Sequence, residues 1–206
     1  MQAKLCRVSV TALAAATVFA AAPAAAHEAG DWLVKVGVTH IKPKSDNGKV
    51  IDDSVGIDVG SSTRPSFSLT YMATKNVGVE LLGAFPFKHD IDAAGLGNIG
   101  STRHLPPTLS LQWHFLPDSK VQPYVGVGVN YTTFFRTRSV LGDLHLSDSW
   151  GLAAQAGVDI KLDKNWFMSA DIRYIDIKSK VRLNGEHIGK VRIDPLVATV
   201  GIGYRF

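Results

Sequence analysis

The chain is 206 residues long, 46% hydrophobic and 19% charged, with a formal charge of +4 and one cysteine. It is too apolar for a disordered chain and long enough for one domain. One Cys excludes an internal disulfide framework and a cysteine-based zinc module, and no basic cluster suggests nucleic-acid binding.

Residues 1–26 read as a cleaved secretory signal peptide. Met1 to Arg7 carries Lys4 and Arg7 and no acid, Val8 to Ala22 is an apolar run, and Ala24-Ala25-Ala26 supplies the small residues of a cleavage site before His27. Cys6 lies inside this segment, so residues 27–206 carry no thiol, as suits an oxidising compartment. Nothing beyond it reaches the ~18 consecutive apolar residues of a spanning helix.

From residue 32 onward the hydrophobic period is two. Trp32, Val34, Val36 and Val38 alternate with Leu33, Lys35, Gly37 and Thr39. The same period recurs over 66–73, 77–87, 108–115, 125–132, 150–160, 166–174 and 196–206. Each segment suffices for a tilted strand to cross a membrane, and an even number of strands closes a bacterial barrel. Connections at 74–76, 116–122 and 163–165 are short, whereas those at 43–65, 88–104, 136–147 and 178–190 are long. This asymmetry predicts short periplasmic turns and long extracellular loops.

Aromatic residues fall near both ends of the apolar face. Trp32, Tyr71, Trp113, Trp166, Tyr204 and Phe206 lie toward the short turns, and Phe85, Phe87, Tyr131 and Phe135 toward the long loops, as two interfacial girdles require. Tyr204 and the terminal Phe206 form the expected signal for barrel-assembly machinery. The other face carries Lys35, Glu80, Gln155, Asp159, Asp171, Arg173 and Arg205. Apolar outside and polar inside is the inverse of a soluble sandwich. The expected fold is all-β: an eight-stranded antiparallel transmembrane β-barrel over 27–206, in the outer membrane of a Gram-negative bacterium.

An eight-stranded barrel is just wide enough for its side chains to fill. Lys35, Glu80, Asp159, Asp171, Arg173 and Arg205 are expected to form a polar plug in the periplasmic half, because a buried charge without a partner costs several kcal/mol. Met72, Leu82, Ala84, Phe134 and Ile41 are expected to line an apolar pocket in the extracellular half, with Leu82 as its floor. Pro86 and Pro106-Pro107 fall at similar heights on the third and fourth segments and cannot donate to a ladder. They predict a weakened seam through which an apolar solute leaves laterally.

Other motifs carry less. Gly95 to Gly100 (GLGNIG) matches a dinucleotide pattern, but STRHLPP follows and no helix can start, so it reads as a flexible loop. His89, Asp90, Asp92 and His104 read as polar residues of a solvated loop rather than a metal site. His145 and Ser147 share a lumen-facing parity but lack an orienting acid. No catalytic residues, metal or cofactor are expected, and the chain is not expected to be an enzyme. Loop cations such as Lys44, Lys49, Arg136, Arg138, Lys180 and Lys190 are expected to meet lipopolysaccharide phosphates.

The stretches YMATKNVGVELLGAFPFKH, HLPPTLSLQWHF, PYVGVGVNYTTFF, DSWG and GYRF, with HEAGDW after the expected cleavage site, together resemble the outer membrane protein W (OmpW) family. The resemblance covers nearly all of 27–206. It implies a narrow eight-stranded barrel and passive uptake of small hydrophobic molecules. The expected partners are therefore outer-membrane lipid, lipopolysaccharide, the assembly machinery and small hydrophobic solutes. A surface structural, receptor or adhesion protein without transport is the alternative.

Overall fold

A computed structural model describes residues 27–51 and 54–206. The expected signal peptide lies outside the described residues.

The chain passes through β1 (Trp32–Lys42), β2 (Lys49–Val50), β3 (Val55–Val59), β4 (Ser62–Met72), β5 (Val77–Ala84), β6 (Phe87–Ala93), β7 (Gly97–Leu105) and β8 (Thr108–His114). It continues through β9 (Val121–Ser139), β10 (Leu144–Leu146), β11 (Ser149–Lys161), β12 (Trp166–Ile175), β13 (Lys178–Leu183), β14 (Glu186–Arg192) and β15 (Leu196–Arg205). Eight of these close a ring, in the order β1-β4-β5-β8-β9-β11-β12-β15 and back to β1, with every pair antiparallel. The first and last staves meet from Leu33↔Arg205 to Lys42↔Leu196, so the ring has no free edge.

The two faces are sorted as alternation requires. On β9 and β11, Val127 and Leu152 are 66% and 71% exposed, while Asn130 and Asp159 between such residues are fully buried. An exposed Val/Leu/Ile belt around a polar interior fits a lipid surround, where every backbone group must be paired within the closed ladder. Small residues admit large ones inside. A methyl group at Gly157 would collide with the ring of Tyr124, and one at Gly203 with the ring of Phe167.

The long connections are more ordered than expected. They form a second tier of strands above the barrel, in the order β10-β13-β14-β2-β3-β6-β7-β9. GLGNIG belongs to this tier. Gly95 and Gly97 have φ of +81° and +72° at the β6–β7 hairpin tip, and Gly97 to Gly100 already lie in β7. Left-handed backbone there, rather than looseness, accounts for these two glycines.

Pro86 changes which residues point inward. In β5 the buried positions are Gly78, Glu80 and Leu82; in β6 they are Phe87, His89, Ile91 and Ala93. The parity has slipped by one residue across Phe85-Pro86, which sends every later side chain to the opposite face. Phe87, expected in the outer girdle, is therefore 1% exposed and sits in the core. A similar break between β10 and β11 leaves His145 exposed and Ser147 half-exposed, against the lumen-facing parity expected of both.

Candidate functional site

The lumen divides into a charged lower half and an apolar upper half. In the lower half, Lys35 from β1 reaches across to Asp159 on β11, with Nζ 2.9 Å from both carboxylate oxygens. Ser169 donates to the same carboxylate at 2.6 Å. Arg173 on β12 donates to Glu80 on β5 at 2.9 Å, and Gln155 donates to that Glu80 oxygen at 3.2 Å. Asp171 lies 3.6 Å from Arg173. The inward positions of opposite walls bring these charges together across a narrow bore, where each neutralises its neighbour. Arg205 lies near the periplasmic rim, 3.6 Å from Asp31, and donates to the Lys164 carbonyl at 2.8 Å.

The upper half is a chamber enclosed by the second tier. Val50, Ile57, Ile91, Ile99, Leu144, Leu146, Val181 and Val191 line it, with His89, Thr102 and His104 on one side. Its volume is about 60 Å³. Of the residues expected to line a pocket, Ile41, Phe134 and Ala84 pack in the same apolar cluster as the chamber lining, though they do not themselves line it. Leu82 sits lower, beside Lys35 and Glu80. Met72 is at the opposite end of the barrel, packed with Leu33 and Phe167 just above the short turn. Alternation identified all five as facing inward or nearly so, but height along the strand and the tier of folded connections had to come from tertiary structure. The residues lining the chamber belong to segments 43–65, 88–104, 136–147 and 178–193. Their signal was present as apolar alternation within those segments, such as Leu144 and Leu146 or Val181 and Leu183.

The ladder between the third and fourth staves is interrupted. Leu82 pairs with Thr108 and Phe87 with His104, but residues 83–86 and 105–107 make no rung between them. Each side pairs elsewhere: the Phe85 amide donates to the Pro65 carbonyl and the Tyr131 amide to the Pro107 carbonyl, at 3.1 Å each. Pro86, Pro106 and Pro107 lie in this interruption, directly below His104.

His89 and His104 are buried and stacked, with ring centroids 4.6 Å apart and planes 2° apart. They are not solvated loop residues as expected, because β6 and β7 fold over the chamber. His89 Nδ1 donates to the Gly60 carbonyl. Burial pushes both imidazoles below the usual 6.5, His104 well below, and the neighbouring His89 acts in the same direction on His104. Arg64 also lowers His89, whereas the Gly60 hydrogen bond and Asp90 oppose the shift. As the folded pKa lies below the unfolded one, the unfolded chain takes up protons first on acidification. The second tier is therefore most stable above about pH 6.5 and weakens below it. Hydrogen-exchange protection of β6 and β7 amides, corrected for intrinsic rates, is expected to fall between about pH 7 and 5 while β11 and β12 keep theirs. Equal loss in an H89F/H104F variant would refute this origin.

Known proteins place these features in a family. A model described as the OmpW family matches residues 28–206. Outer membrane protein W of Salmonella typhimurium is 42% identical over 209 residues, covering 96% of this chain and 98% of that protein. The crystal structure of the outer membrane protein OprG from Pseudomonas aeruginosa superposes with a TM-score of 0.80 at 32% identity, covering 88% of this chain and 98% of that one. A more distant relative, the dibenzothiophene metabolism operon protein PahQ of Pseudomonas aeruginosa, is 26% identical over 191 residues, covering 87% of this chain and 90% of that protein.

Proposed function

This chain belongs to the OmpW family and is an outer-membrane β-barrel, and from that premise we propose that it takes up small hydrophobic molecules passively and releases them sideways into the membrane. The observation that carries this reading is an apolar chamber stacked on a salt-bridged plug. An apolar solute gains free energy by leaving water for the chamber. It gains nothing by displacing Lys35–Asp159 or Arg173–Glu80, whose charges would lose their partners. The descent is therefore unfavourable, and we assign the exit to the interrupted ladder beside His104, which lines the chamber. PahQ is named as a protein of a dibenzothiophene metabolism operon, and dibenzothiophene is an apolar fused aromatic, which supports the same solute class.

The chamber volume imposes a condition on this route. An apolar cavity of about 150 Å³ accommodates benzene, so about 60 Å³ does not admit an aromatic ring until the surrounding strands part. Capture then requires motion of the second tier, whose β6–β7 and β13–β14 hairpins are linked through the short ladders of two-residue β2, with three-residue β10 at the tier's edge.

The test is flux into vesicles with lipopolysaccharide in the outer leaflet, comparing a small aromatic hydrocarbon with a small sugar and with protein-free vesicles. We expect protein-dependent flux of the hydrocarbon alone. Ile91→Trp, which fills the chamber from β6, should lower that flux at least about fivefold while leaving the barrel folded. Sugar flux would mean that the charged half is open and the reading is wrong.

One observation favours the surface-interaction alternative. Lys178 faces Arg192, and Lys180 faces Lys190, across the exposed β13–β14 hairpin. Like charges directly opposite repel, and phosphate groups of lipopolysaccharide would relieve that repulsion. Absence of flux for either solute would transfer support to this reading.

A further inference from the structure

The residue that begins the described chain is folded into the barrel. His27 is 2% exposed, and its amide donates to the Pro117 carbonyl at 3.4 Å. The next residues tuck in behind it: the Gly30 amide donates to the Met72 carbonyl at 2.8 Å, and the Met72 amide donates to the Asp31 carbonyl at 2.9 Å. This places the His27 ring edge-on to His114 at the end of β8, with centroids 5.4 Å apart. One donor atom from each of His27, His114 and Asp159 lies within 4.8 Å of the others. All three residues are buried.

The polar atoms here are under-satisfied. Both ring nitrogens of His27 and Nδ1 of His114 are shut off from solvent without a hydrogen-bond partner among the described residues. Such groups normally find a partner, and a cluster of them calls for a ligand. His114 Nε2 is already engaged by the Gln112 amide oxygen at 3.1 Å. A bond of this kind at one ring nitrogen orients an imidazole and leaves the opposite nitrogen, Nδ1, to bind a metal. Asp159 retains capacity as well. Oδ1 accepts from Ser169 and Lys35, whereas Oδ2 accepts from Lys35 alone among the described residues, and a carboxylate oxygen has lone pairs for more than one donor.

We propose that His27, His114 and Asp159 form a binding site for a nitrogen-preferring transition-metal dication, copper(II) above all, at the periplasmic floor of the barrel. Two imidazoles and one carboxylate suit Cu²⁺ over Mg²⁺ or Ca²⁺, which prefer all-oxygen cages. Lys35 pairs with Asp159, and Lys161 donates to the same Pro117 carbonyl as the His27 amide; both cations weaken the attraction of the carboxylate for the metal. Affinity therefore rests on the neutral imidazoles, and oxygen-seeking ions should not compete. Cleavage after Ala26, expected from the sequence, would add the α-amino nitrogen of His27 as a further donor. Occupation would tie the segment at residues 27–31 to β8 and β11 and close the barrel from below.

Copper(II) alone is titrated into the full barrel purified from outer membranes into micelles, with Zn²⁺, Mg²⁺ and Ca²⁺ in parallel. We expect one saturable equivalent with nitrogen hyperfine structure in the electron paramagnetic resonance spectrum. We also expect a rise in unfolding temperature on binding and no response to Mg²⁺ or Ca²⁺. His27→Ala and His114→Gln should each lower affinity at least about tenfold. Heat-dependent gel mobility reports whether each variant is folded. In the unaltered protein, the paramagnetic ion should broaden His114 and Asp159 resonances before those of exposed His40, His145 or His187. No saturable binding, binding insensitive to both substitutions, or broadening that begins at the exposed histidines would overturn the proposal.

Discussion

Glu80→Ala is expected to destabilise the barrel by about 3–5 kcal/mol, the usual cost of removing one partner from a buried ion pair. Arg173 is 1% exposed, and its Nη2 donates to Glu80 at 2.9 Å, while Nε and Nη1 have no hydrogen-bond partner among the described residues. Removing Glu80 leaves the guanidinium with Asp171 at 3.6 Å as a weaker substitute. Gln155 loses its acceptor at the same time. The double variant E80A/R173M should recover most of the loss, because an apolar replacement removes the buried charge together with its missing partner. Urea unfolding in lipid vesicles measures both. A single-variant loss below about 1 kcal/mol would show that water already solvates the plug. Single-channel recording adds a functional reading: the double variant should pass more small ions, since it removes the charges that fill the narrow bore.

The second large effect concerns the route of the solute. Leu82 and Thr108 form the last rung below the interrupted ladder. Antiparallel partners lie about 4.5–5.5 Å apart, within the range a disulfide spans. Oxidised L82C/T108C should therefore hold the third and fourth staves together and lower hydrocarbon flux at least about tenfold, with recovery on reduction. The reduced protein controls for the substitutions themselves. Undiminished flux in the oxidised form would exclude lateral release through this seam while leaving uptake by the barrel intact. A filled seam is the complementary variant: Ala84→Trp puts bulk on β5 where the ladder stops, and should reduce flux regardless of redox state.

Much of the fold was legible from the alternation alone. Eight period-two segments correspond to the eight staves, and the inverted pattern identified a lipid-facing belt before any contact was known. The charged residues were legible as inward positions for the same reason. Which charge meets which was not, because Lys35 and Asp159 are 124 residues apart and Arg173 and Glu80 are 93 apart. Their encounter follows from ring closure and register. Phe87 and His145 show a different limit. Each lies past a break in the ladder, and beyond such a break the parity must be counted afresh. Pro86 itself was visible, but the one-residue slip it introduces was not. His27 and His114 escaped notice because nothing local marks them: one precedes the first strand and the other ends a strand in a Leu-Gln-Trp-His run.

The sequence by itself determined that the chain is a membrane barrel of eight strands, with a polar interior and short turns at one end. Backbone alternation is a local property, so the facing of each side chain follows from its neighbours along the chain. Only the tertiary structure decided where the apolar chamber lies, which residues line it and how the charges pair. Those depend on the height of each residue along its stave and on strands contributed by distant connections. Both are set when the ring closes and the second tier folds over it.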